Sequence, residues 1–194
     1  MNVPHDRSGL ILASKSPRRS ELLEQAGLIF SVIPSDVDES TVAVSNPDSY
    51  VISLAESKAL DISQKHPAAW VIGADTVVVI DGKILGKPAS ERQAVGMLSQ
   101  LSGQTHEVLT GFCLLHRSKA VTISRAVRTL VRFKRLNPAE IDWYVATGEP
   151  FDKAGAYAIQ EHGDRFVERI EGSWSNVVGL PMELVQRLLD GQEL

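Results

Sequence analysis

Several short stretches of this chain carry side chains suited to phosphate chemistry. Ser14-Lys15-Ser16-Pro17-Arg18-Arg19 follows an apolar run. Hydroxyls and unpaired N–H groups at a helix start bind anions, and the guanidinium forks of Arg18 and Arg19 match phosphate oxygens. A capped helix with solvated arginines explains the same residues. Gly73-Ala74-Asp75-Thr76 ends a second apolar run. Ligands of open α/β sheets bind at such strand ends. Asp75 could hold a divalent metal or deprotonate a water there, or accept backbone N–H groups in a turn. Asp36, Asp38 and Glu39 offer hard oxygens for Mg²⁺ or Mn²⁺, or form a solvated loop.

Lys58 is more informative than a surface lysine. It falls four residues after Leu54 and four before Ile62, within the apolar stripe Val51, Leu54, Ala55, Ala59 and Ile62. An ammonium there must snorkel or find a partner, either phosphate or Asp75. Lys87, in Gly86-Lys87-Pro88, could reach the same site, although alone it is only a loop lysine. Asp152–Gln160 is rich in small residues that let a backbone approach a ligand closely. The Gln160 amide can both donate and accept, as reading a base edge requires, or it is a surface amide. His106 lacks metal-ligand spacing and reads as structural. Cys113 lies in an apolar strand and reads as inert core. No P-loop, dinucleotide fingerprint or Ser-His-Asp arrangement is present.

Alternating strands and helices position these residues. Leu10–Ala13 reads as a strand, and Ser16-Pro17 opens a helix that runs to Gly27. Phe30–Ile33 is a second strand, and Asn46-Pro47 opens the helix that carries Lys58. Trp70–Gly73 is a buried strand ending at Ala74-Asp75-Thr76, with Val77–Ile80 continuing beyond and Asp81-Gly82 marking a hairpin turn. Ser90-x-x-Gln93 is a capping box for a helix to about Leu101. The runs Glu107–Leu115 and Val121–Phe133 are β-rich, and Asn137-Pro138-x-Glu140 opens a helix to about Thr147. Asp152–Gly163 reads as a loop with a short strand, Phe166–Ile170 as a strand and Leu180–Leu189 as the last helix. The pattern predicts an α/β fold with a mixed sheet.

With 194 residues, residues 1–194 form a single domain in this reading, with enough core to need no staples. The lone cysteine excludes an intrachain disulfide and fits a reducing, cytoplasmic compartment. A net charge of −4 argues against a nucleic-acid partner. No apolar run approaches the ~20 residues of a membrane span, and Met1–Gly9 lacks the marks of a signal peptide.

In combination and order, these stretches resemble the Maf family. The matching segments are Leu12-Ala13-Ser14-x-Ser16-Pro17-Arg18-Arg19, Leu54-Ala55-x-x-Lys58-Ala59, Gly73-Ala74-Asp75-Thr76, Gly86-Lys87-Pro88, Leu101-Ser102-Gly103-x-x-His106, Glu149-Pro150-x-Asp152-Lys153-Ala154-Gly155-Ala156-Tyr157 and Gly172-Ser173-x-x-Asn176-Val177-Val178-Gly179-Leu180-Pro181. The resemblance implies an elongated α/β fold related to inosine triphosphate pyrophosphatases, with two lobes around a central cleft. It implies a nucleoside triphosphate pyrophosphatase with a housekeeping role in the nucleotide pool and a link to division arrest. It further implies a divalent cation (Mg²⁺, Mn²⁺ or Co²⁺) and a homodimer.

On the matching positions, Asp75 is the expected proton acceptor, Lys58 and Lys87 are catalytic, and Asp38, Glu39 and Asp75 face the metal. Ser14, Ser16, Arg18, Arg19, Thr76, Lys153 and Gln160 bind substrate. Arg18, Thr76 and Gln160 resemble the dTTP/UTP branch, not the 7-methyl-GTP branch, which carries Trp, Gln and Glu at those places. Glu161-His162-Gly163 departs from pyrimidine relatives, in which a glycine often follows the glutamine directly. Uracil and thymine pair a carbonyl O4 with an N3–H, and one glutamine amide can serve both. A non-catalytic nucleotide-binding regulator of septum formation is the competing reading. It would have no need of the Asp75, Lys58 and Lys87 set.

Overall fold

The computed structural model of the chain describes residues 9–42 and 46–191; apart from Gly9, the segment read for a signal peptide lies outside them. Strand β1 (Leu10–Leu12) is buried throughout and leads into helix α1 (Pro17–Gln25), where Pro17 takes a position whose N–H has no helical partner anyway. Ser16 has the extended backbone of an N-cap, but its hydroxyl makes no cap bond. Strand β2 (Ser31–Val32) pairs parallel with β1. Helix α2 (Pro47–Lys65) is capped by Asn46, whose side chain accepts from Ser49 N at 2.9 Å.

Strand β3 (Trp70–Ile80) pairs parallel with β1 and antiparallel with β4 (Lys83–Leu85). Asp81 (φ 49°) and Gly82 (φ 74°) both adopt the left-handed conformation of a two-residue hairpin turn. Helix α3 (Glu91–Leu101) starts at Ser90, which accepts from Gln93 N; Gln93 Oε1 bonds Ala89 N at 2.7 Å, so the predicted box is shifted by one residue. Strands β5 (Thr105–His116) and β6 (Val121–Phe133) precede helix α4 (Pro138–Ala146), which has a reciprocal capping box between Asn137 and Glu140. Strand β7 (Val167–Glu171), helix α5 (Trp174–Val178) and helix α6 (Met182–Leu189) complete the chain.

The strands form a seven-stranded sheet in the order β2-β1-β3-β5-β6-β7, with β4 beside β3. Parallel pairing at β1 and antiparallel pairing of β6 with β7 make it the mixed α/β sheet expected from the sequence.

Two further details differ from expectation. The strand does not stop at Ala74-Asp75-Thr76: β3 is continuous, and Asp75 is a buried residue in its middle. Residues 152–163 contain no strand. They form short 3₁₀ turns that include Gly155 (φ 68°) and Ala156 (φ 63°), conformations incompatible with pleated backbone.

The chain divides into two compact units. The described residues within Met1–Asp75, Thr110–Val127 and Gly179–Leu194 form the first; Thr76–Leu109 and Arg128–Val178 form the second. Each has its own core. In the first, Ile11, Ala13, Val71 and Cys113 meet Ala55, Ala59 and Ile62 of α2. In the second, Leu98, Leu101, Phe133, Tyr144 and Phe166 are fully buried. There Phe133 meets His106 and Tyr157 edge-on, with centroids 4.9 and 4.7 Å away, and Tyr144 meets Phe166 likewise.

Candidate active site

Backbone contact between β3 and α2 builds the first part of the site. Period-two alternation puts Val71, Gly73 and Asp75 on one face of β3. A Cβ at Gly73 would collide with the Ala55 carbonyl oxygen and crowd Ala59, so only glycine lets α2 lie this close. The helical period then carries Lys58, one turn beyond Leu54, over Asp75. Lys58 Nζ lies 2.6 Å from Asp75 Oδ1 and 2.7 Å from Glu39 Oε1. The Lys58 and Asp75 side chains are only 11% and 13% exposed, whereas Glu39 is half exposed. The lysine therefore does not snorkel. It is a buried cation held by two carboxylates, and burial without such partners would be prohibitive.

Arg19 borders the same carboxylate. Its Nε donates to Gly179 O at 2.7 Å, and its guanidinium also donates to Ser14 Oγ at 3.1 Å and Ala74 O at 3.0 Å. Burial lowers its pKa; the Asp75 charge opposes that shift, and the positive charge of Arg18 adds to it. Of the two arginines read as solvated or phosphate-facing, Arg19 is buried and Arg18 half-buried. Ser14 Oγ also accepts from Ser16 N at 3.2 Å, so this hydroxyl organises the turn into α1.

Asp38 caps a 3₁₀ turn. Its Oδ1 accepts from Ser40 N and Oγ at 3.0 and 2.7 Å, and the hydroxyl bond depresses its pKa. Tyr50, which the sequence reading passed over, is half-buried near the carboxylates: desolvation first, then the charges of Asp75 and Glu39, raise its pKa. A tyrosine in the first turn of a helix carries no sequence signal of that placement.

The first unit thus brings together Ser14, Arg19, Glu39, Lys58 and Asp75. The second unit holds Thr76, Lys87, Lys153 and Gln160. Lys87 is exposed just beyond β4. Lys153 is buried, with Nζ 2.8 Å from Glu149 O and 2.7 Å from Asp152 Oδ1. Gln160 is half-buried: its Oε1 is buried and lacks a hydrogen-bond partner, an arrangement that costs about 1–3 kcal/mol when nothing fills it. His106 is structural as expected, buried with Nε2 2.8 Å from the Tyr157 hydroxyl. Burial pushes the Cys113 thiol up to about 11, consistent with inert core. Among the described residues, no three His, Cys, Asp or Glu side chains gather to hold a metal.

Residues 9–192 match the Maf family, described as Maf-like protein. A dTTP/UTP pyrophosphatase of Geotalea uraniireducens (strain Rf4) is 51% identical over 183 residues, covering 94% of this chain and 94% of that protein. Others so named are similar: from Syntrophotalea carbinolica, 48% identical over 191 residues, covering 96% and 87%, and from Halalkalibacterium halodurans, 51% over 180 residues, covering 93% and 94%. Among solved structures, a HAM1 protein from Coxiella burnetii aligns with a TM-score of 0.48 at 14% identity over 66% of this chain and 74% of that one, too distant a likeness to bear on function.

Proposed function

This chain belongs to the Maf family, and on that footing we propose that it is a nucleoside triphosphate pyrophosphatase that hydrolyses dTTP and UTP to the monophosphate and pyrophosphate. The observation that carries the reading is the buried Lys58 ammonium between Glu39 and Asp75. A non-catalytic nucleotide binder has no use for so costly a charge cluster beside an anchored arginine.

The donor set suits a divalent ion. Glu39 Oε1 and Asp75 Oδ1 both lie against the Lys58 ammonium, so the two carboxylates are near one another, and Mg²⁺ commonly takes one or two carboxylates and completes its shell with water and phosphate. Bound by Glu39 and Asp75, Mg²⁺, Mn²⁺ or Co²⁺ would supply Lewis-acid neutralisation of charge on the phosphate oxygens. Asp38 supports this role by fixing the turn that carries Glu39.

The residues then divide the work. Asp75 takes the proton of the water that attacks the α-phosphorus. The bond from that phosphorus to the bridging oxygen breaks, the monophosphate keeps the new oxygen, and pyrophosphate leaves with the electron pair. Lys58, Lys87 and Arg18 neutralise phosphate oxygens. Arg19 holds the Ser14 hydroxyl and the Ala74 carbonyl in place, so that Ser14, Ser16 and Thr76 meet the substrate in fixed positions. Gln160, with its side chain turned to the base, accepts the N3–H of thymine or uracil through Oε1 and donates to O4 through Nε2.

Among the described residues, no helix is long and apolar enough to cross a membrane. We place the activity in the cytoplasmic nucleotide pool, with the chain acting as a homodimer. The test is product analysis with dTTP, UTP and 7-methyl-GTP in Mg²⁺ or Mn²⁺. We expect equimolar monophosphate and pyrophosphate, with both pyrimidine nucleotides preferred. Asp75→Asn should lower turnover by about 10²–10⁴-fold while retaining the far-UV circular dichroism of the parent. Binding without cleavage by the parent, or pyrophosphate release by Asp75→Asn at near-parent rates, would defeat the reading.

A further inference from the structure

The Gln160 amide is useful only if its oxygen is aimed. The peptide that carries it has no regular structure of its own, yet side chains from outside the segment fasten it on both sides of Gln160. On one side, the Tyr144 hydroxyl of α4 accepts from Ala158 N at 3.3 Å and donates to Glu149 Oε1 at 2.7 Å. On the other, the same buried carboxylate accepts from His162 N at 3.1 Å, His162 Nδ1 at 3.0 Å and Gly163 N at 3.4 Å. Lys153 Nζ adds a third tie, bonding Glu149 O and lying 3.7 Å from Glu161 Oε1. At Gly163 a Cβ would run into Ala158 O and meet the Tyr144 hydroxyl oxygen, so the turn closes on itself without slack. The His162 ring stands edge-on to Trp143, centroid to centroid 5.5 Å, and the Arg165 guanidinium lies over that indole at 4.7 Å. Helix α4 thus braces the turn through Tyr144 on its buried face and Trp143 on its outer face.

We propose that Glu149, Tyr144 and His162 are positioning residues that set base selectivity by clamping Ala158–Gly163, which fixes the backbone from which the Gln160 amide reaches the base. This rests on the assignment of Gln160 made above. None of the three touches substrate; each acts through the peptide on either side of Gln160. Glu149 carries most of the load, since four donors from three residues converge on its carboxylate. Charge-assisted bonds of this kind are roughly twice as strong as neutral ones. His162 provides both a backbone and a ring donor to Glu149.

The experiment compares kcat and KM for dTTP and dCTP, whose 3,4-edges present opposite donor and acceptor patterns. Tyr144→Phe keeps the buried ring and removes the hydroxyl. It should raise KM for dTTP about tenfold with kcat within about twofold, and so erode the dTTP-to-dCTP ratio of kcat/KM about tenfold. His162→Ala, at a side chain 57% exposed, should shift the ratio in the same direction by about threefold, and His162→Asn should restore it. Combining Tyr144→Phe with Gln160→Ala should be no worse than Gln160→Ala alone. A purely structural role would instead lower kcat for both nucleotides alike and leave KM and the ratio intact. That outcome, or a parent-like ratio in His162→Ala, overturns the proposal. A parent enzyme that releases no pyrophosphate from dTTP overturns the functional reading itself, and this proposal with it; the two failures are therefore distinguishable.

Discussion

The buried pair Lys58–Asp75 should show a measurable coupling energy. At 2.6 Å and an effective dielectric of ~20, the bare attraction is about 6 kcal/mol, and desolvation of the two ions takes most of it back. Breaking a buried pair from one side costs ~3–5 kcal/mol. Here the loss is smaller because each ion keeps a second partner: Lys58 retains Glu39 at 2.7 Å, and Asp75 retains the field of Arg19. Lys58→Met and Asp75→Asn should therefore each destabilise by about 2–3 kcal/mol, a fall of roughly 5–10 °C in Tm for a chain of this size. The double variant should be less destabilised than the sum of the singles by about 1.5–2 kcal/mol, since neither member of the pair then stays buried without the other. Urea denaturation with matched m-values measures all four corners. If the double equals the sum to within ~0.5 kcal/mol, the two side chains do not form a pair in solution, and the argument built on their contact fails.

Other consequences are equally open to measurement. Gly73→Ala should cost about 3 kcal/mol in urea melts through backbone overlap with α2, and weaken Mn²⁺ binding by moving Lys58; parent-like values for both would refute the close approach. Burial takes the His106 imidazole from its ordinary 6.5 to about 4, so between these values the unfolded chain binds a proton that the native state refuses. The stability present above pH 6.5 should then drain as the pH falls towards 4, by up to about 3 kcal/mol. His106→Phe should flatten that part of the profile, and an unchanged slope would rule out His106 as the source.

Local chemistry made much of this arrangement legible. The stripe that places Lys58 inside, the turn at Asp81-Gly82 and the cap at Asn137 follow from periodicity and backbone preference, and the structure repeats them. What local patterns missed are effects of residues distant in sequence. A polar interruption at Ala74-Asp75-Thr76 reads as the end of a strand. Instead β3 runs on, because Lys58 arrives from another element to compensate the buried carboxylate. Arg18 and Arg19 look alike in sequence, yet Arg19 is buried among the carbonyls of Ala74 and Gly179. The turn from Ala158 to Gly163 looked like strand and loop because its organising carboxylate, Glu149, lies outside it. Helix α5 is only five residues long, too short for a period to show, and its signal was the Ser173 hydroxyl that accepts from Asn176 N.

Helix α2 meets backbone at more than Gly73: a Cβ at Gly111 of β5 would strike the Val51 carbonyl. A rod that touches bare peptide at two levels is held at both, so it can neither roll nor slide there without lifting off the strands. Laboratory evolution towards new nucleotides should therefore leave this scaffold untouched and accumulate its changes outside it, where they do not displace Lys58 Nζ from Asp75.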